Sequence, residues 1–140
     1  MKLVPEMWVA LLLLTIVPLS ATANPDEESA QLAAKSWLGL VDVGAYDPSW
    51  VTASAVLKKA VNQRGWVSMM LRGREPYGPR VSLHMRQIKT THNLPGAPDG
   101  NYVVIEYDSR FIKKPGAVEK ITLVKEPDAV WRVADYNLNN

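Results

Sequence analysis

The chain of 140 residues carries 16 Lys and Arg against 14 Asp and Glu, a formal net charge of +2, and no cysteine. Without cysteine there is no disulfide, no thiolate zinc site and no lipid-modified cysteine, so the fold rests on packing alone. The near balance of charge argues against a nucleic-acid binder, whose signature is a strong basic excess.

Residues 1–23 read as a targeting segment. Met1-Lys2 gives a positive start and Trp8 to Val17 an uncharged apolar run. That run is shorter than the roughly 20 residues a bilayer requires. Ala21-Thr22-Ala23 follows with the small-residue pattern that signal peptidase accepts. The expectation is cleavage after Ala23, export to the periplasm, no stable membrane insertion afterwards, and a single α+β domain over residues 24–140.

Asn24-Pro25-Asp26-Glu27 has the form of a helix start: an N-cap residue, Pro in the first turn, and acids that complement the helix dipole. Ala30, Ala33, Ala34, Trp37, Leu38 and Val41 then recur on one helical face. Leu40 and Val43 widen that stripe, which predicts a helix covered on more than one side. Gly44 weakens its end, and Asp47-Pro48 predicts the break, since a residue before Pro avoids the α region. Asp47 is then expected to cap a second helix with Pro48 at its first position, and Tyr46 to staple onto Val51. Trp50, Ala53, Leu57, Ala60 and Val61 carry the helical period on to an interruption at residues 62–65. A third, short helix is expected to turn Trp66, Met69 and Met70 inward and to end near Arg72-Gly73.

The period then changes to alternation. Residues 80–91 (through Val81, Leu83 and Met85), 101–111, 117–125 and 130–138 are four strand-like runs. Turn formers separate them: Leu94 to Gly100, Lys114-Pro115-Gly116 and Glu126-Pro127-Asp128-Ala129. Short links between alternating runs predict antiparallel hairpins. The fold class is therefore α+β, N-terminal helices packed on a curved four-stranded antiparallel meander. Each Trp buried in its closure removes about 150–250 Å² from water, worth roughly 4–6 kcal/mol before entropy.

Several separated motifs carry a family resemblance. They are Trp37-Leu38-x-Leu40-Val41-Asp42-x-Gly44-x-Tyr46-x-x-Ser49-Trp50, then Trp66, Arg72, Gly78 and Arg80, then Pro95-Gly96-Ala97-Pro98-Asp99-Gly100-x-Tyr102. Tyr107, Phe111, Val118-Glu119 and Trp131-Arg132-Val133-x-x-Tyr136 follow in order. Together they resemble an exported bacterial family, the domain of unknown function 4019. Ala129 stands where that family has a turn Gly, and Asp135 where it tends to have Gly before Tyr136. The resemblance implies a cystatin-like or nuclear-transport-factor-like cone and no assigned activity. Such cones host isomerases, dehydratases, ligand binders and interaction modules, so the fold alone does not give a function.

The candidate pocket residues are Asp42, Arg72, Arg80, Tyr102, Glu119 and Tyr136. Isomerases of the cone type use a carboxylate base with a tyrosine in an oxyanion hole, and Asp42 with Tyr102, Tyr107 or Tyr136 imitates that set. Against it stands Asp42 as a helix-end hydrogen-bonding group. Arg80 and Glu119, on different strands, are candidates for a pair that fixes register more than it adds stability; the functional alternative sets Arg72 with Arg80 against an anion. Residues 58–89 hold eight basic residues against the single acid Glu75, a solvated face or an anion-facing one. His84 and His92 have no ligand-spaced partner, so no metal and no cofactor is expected. The first expectation is a non-catalytic binding or interaction module of the cell envelope. The alternative is a small cofactorless isomerase- or lyase-like enzyme using Asp42 or Glu106. Partners in view are an envelope protein, a small anionic ligand or a second copy in a homodimer, and not nucleic acid.

Overall fold

The computed structural model describes residues 23–140; the expected leader, as far as residue 22, lies outside them. Four helices come first: α1 (Pro25–Asp42), α2 (Tyr46–Val51), α3 (Ala55–Ala60) and α4 (Gln63–Gly73). A single 3₁₀ turn (Glu75–Tyr77) leads into β1 (Arg80–Thr91), β2 (Tyr102–Phe111), β3 (Ala117–Lys125) and β4 (Trp131–Asn139). The strands form one antiparallel sheet in the order β1-β2-β3-β4. This is the α+β arrangement that the change of period predicts.

Local chemistry sets most helix ends. The Asn24 side chain accepts from the Asp26 amide at 3.1 Å, with Pro25 in the first turn. The acids behind the cap also fasten α1 to the sheet. Lys125 donates to Asp26 at 2.9 Å and Thr90 donates to Glu27 at 3.0 Å. α1 stops at Gly44 (φ 73°), earlier than Asp47-Pro48 would impose. The Gly44 amide bonds the Val41 carbonyl and the Ala45 amide the Leu40 carbonyl, a Schellman ending that favours glycine in the left-handed region.

Two details of the α2 expectation are corrected. Asp47 and Pro48 lie inside α2, and Ala45 at its N-cap makes no side-chain capping bond. Pro48 fits because a first-turn residue has no intrahelical use for an N–H. Asp47 instead accepts from Gln63 at 2.9 Å. Val51 is exposed and Tyr46 buried, so the two do not form a buried staple. The period carried through residues 50–61 is also broken, because Ser54 caps a separate α3 through the Leu57 amide. Asn62 does the same for α4 through the Gly65 amide at 2.8 Å.

Ser49, fully buried, ties the helices together without charge. Its carbonyl accepts the Trp37 indole N–H at 2.8 Å, and its hydroxyl oxygen accepts the Trp66 indole N–H at 2.9 Å while donating to the Tyr46 carbonyl. The Trp37 and Trp66 ring centres are 5.9 Å apart. One continuous core joins this group to the sheet through Leu38, Val41, Ile105, Ile121, Leu123 and Val133. Met69 is half exposed, contrary to expectation, because α4 meets that core through Trp66, Val67 and Met70. Val43, at 78% exposure, is likewise not covered, whereas Leu40 is partly buried.

The edge strand β1 departs from simple alternation. Its register slips between Arg80 and Ser82 and again between Met85 and Gln87. Val81 and Met85 are consequently exposed and Leu83 is only partly buried. Bulges of this kind shield an open sheet edge from pairing with another strand. The last hairpin departs from regular geometry at or beside the two positions where the resemblance leads one to expect glycine. Ala129 adopts φ 65°, a conformation that favours glycine, and the β3–β4 register slips beside Asp135.

Candidate functional site

Four charged side chains and two hydroxyls meet where the end of α1 crosses the start of β1. Asp42 is the last residue of α1, Arg74 directly follows α4, and Arg80 opens β1. Ser109 and Glu119 come from β2 and β3, and Tyr136 from β4. The register accounts for the convergence. Tyr107 lies opposite Glu119, Ser109 opposite Ala117 and Tyr136 opposite Ile121, so alternation turns Ser109, Glu119 and Tyr136 to the helix-covered face.

Arg80 is the bridge. Its Nε and Nη2 donate to the two oxygens of Asp42 at 2.9 Å each. Nη1 donates to Glu119 Oε1 and, at 3.2 Å, to Ser109 Oγ, and Nη2 donates to Glu119 Oε2 at 3.0 Å. A guanidinium has five N–H groups, and all of them find an acceptor here. Glu119 is equally saturated. It takes the two Arg80 bonds, the Ser109 hydroxyl at 2.5 Å and the Tyr136 hydroxyl at 2.5 Å. These occupy the roughly four lone-pair sites of a carboxylate.

Arg74 completes the charge balance. Its Nη2 donates to Asp42 at 3.2 Å and its Nη1 to the Gly78 carbonyl at 2.8 Å. The Arg74 and Arg80 guanidinium carbons lie 4.4 Å and 5.0 Å from the centre of the Phe111 ring, within cation–π range. Two cations and two anions thus form a neutral set. Glu119 is fully buried, and Asp42 is the member that reaches solvent. Arg74 Nε and the Tyr107 hydroxyl, both buried, have no hydrogen-bond partner.

Electrostatics hold these groups in fixed protonation states. Burial opposes the charge on Arg80, but the bonds to Glu119 and Asp42 more than offset it and raise its pKa above the ordinary value. Burial, then the Glu119 charge and the bond to it, hold the Tyr136 phenol well above its ordinary range. Tyr107 is raised by burial and then by Glu119. Both tyrosines are therefore neutral at physiological pH, and Tyr136 acts as a donor to Glu119.

The structure brings together Asp42, Arg80, Glu119 and Tyr136, and leaves two expected members out. Arg72 is exposed on the last turn of α4. Arg74, the C-cap residue just past α4, takes the inner position instead. Tyr102 lies on the opposite face of the sheet, packed with Val124 and Ala134, and donates to the Pro98 carbonyl at 2.6 Å. Its even position on β2 already sets it apart from Tyr107. Glu106 shares that outer face, in register with Lys120. His84 and His92 are exposed.

Arg74 and Ser109 are the members that sequence reasoning missed. Ser109 carried a signal, a small polar residue alternating with Tyr107 and Phe111 on a buried face. Arg74 carried none, because it lies just past the helix, where periodicity stops.

A hollow of about 480 Å³ is lined by two members of this set, Asp42 and Arg74, together with Tyr46, Asp47, Leu71 and Glu75 among others, and Glu119 does not line it. Among the described residues, no group of three or more His, Cys, Asp or Glu is placed to hold a metal ion. No helix among them is long and apolar enough to cross a membrane.

Helices laid on one face of an antiparallel meander, with a neutral ion cluster closing one end, define a small α+β domain pinned by charge. The model of the family described as protein of unknown function (DUF4019) matches residues 33–136, and the chain belongs to that family. No curated protein matches it.

Proposed function

We propose that this protein is an exported, non-catalytic binding or interaction module of the cell envelope. The observation that supports the non-catalytic part is the saturation of Glu119. A general base needs a free lone pair within reach of its substrate, and every acceptor site of this fully buried carboxylate is used. Asp42, the exposed acid of the set, spends both oxygens on Arg74 and Arg80. The order of helices followed by a meander fits the cone type that the resemblance implies, and Trp37, Leu38 and Val41 pack in one core with residues of the sheet. Support for export comes from the sequence of residues 1–23: positive start, short apolar run and small-residue cleavage pattern.

Native mass spectrometry of the protein purified gently from its own envelope tests this. A protein free of small molecules, as a dimer or joined to an envelope protein, is the expected result. A stoichiometric small molecule that the protein converts to a product, with conversion lost in Asp42→Asn, would overturn it in favour of the cofactorless enzyme. N-terminal sequencing of the same sample should read from Asn24, and a chain beginning at Met1 would sink the export proposal.

A further inference from the structure

We draw no further inference here: the strongest candidate, the apolar groove of about 430 Å³ between α1 and the start of β4, lined by Ala33, Leu40, Val130 and Trp131 among others, carries nothing, because nothing in the structure shows what covers it and the unpartnered Trp131 indole N–H is itself sealed from solvent.

Discussion

Two arginine-centred clusters occupy different sites on the same sheet, and they differ in almost everything but composition. At the start of β1, Arg80 joins Asp42 and Glu119 with side chains 10%, 29% and 0% exposed. Beside the β3–β4 turn, Arg132 joins Glu126 and Asp128 with side chains 30%, 19% and 52% exposed. The distances at Arg132 are no worse, 3.0 Å and 2.8 Å. What separates the clusters is the alternative open to each partner. If Arg132 is lost, water solvates the freed carboxylates, and for such pairs the net worth is small. If Arg80 is lost, Glu119 is left charged in a place water does not reach, and that is costly whatever the pair itself contributed. Charge at Arg80 therefore fixes how α1 and the strands fit together, while charge at Arg132 trims a turn.

The sharpest break in that contrast is Arg80→Met, which keeps bulk and removes the cation. It should lower unfolding free energy by about 3–5 kcal/mol, the usual cost of orphaning a buried partner, read from denaturant midpoints. Adding Glu119→Leu should recover much of the loss, because the uncompensated charge goes with it. A double variant no more stable than Arg80→Met would refute the account.

Tyr136→Phe comes next, at about 1.5–3 kcal/mol for a hydrogen bond to a charged group. It also has a pH signature. The folded chain holds the Tyr136 proton more tightly than the unfolded chain does, so stability falls as pH rises above the phenol's ordinary value of 10.0. In the Phe variant the alkaline loss should be shallower, with a residual slope from Tyr46, Tyr102 and Tyr107, whose values burial also raises. An unchanged slope would remove Tyr136 from the cluster's energetics.

Ala129→Gly, in the turn next to Arg132, should stabilise by about 1 kcal/mol by relieving a left-handed conformation that an L side chain disfavours. A drop in melting temperature would contradict that strain. Arg132→Ala should show the smallest effect of the four, and 1 M salt should abolish what remains. A salt-insensitive loss there would mean that the two clusters are alike after all.

How much of this was legible beforehand depends on the range of the interactions involved. The first and third strands fall on the expected boundaries, the second starts one residue later and the fourth is shifted by one, because period-2 alternation and turn formers are local signals. Asn24 was readable as a cap for the same reason. Ser54 as a cap was not, because Leu57, Ala60 and Val61 continue a helical period that hides the break at residues 52–54. The bulges in β1 were hidden too, since the letters of Val81, Leu83 and Met85 alternate while the backbone slips.

Taken alone, the sequence determined the fold class and the order of elements, because periodicity, caps and turns act over a few residues and the hairpins follow from short links; it named Arg80 and Glu119 as candidates for a pair without bringing them together. Only the tertiary structure decided that Arg74 rather than Arg72 faces the cluster and that Glu119 has no acceptor site to spare. Those outcomes depend on the rotation of α4 about its axis and on register summed across three strand pairs. They are set by contacts between residues about 30 to 40 positions apart in the chain, a separation over which no local pattern persists.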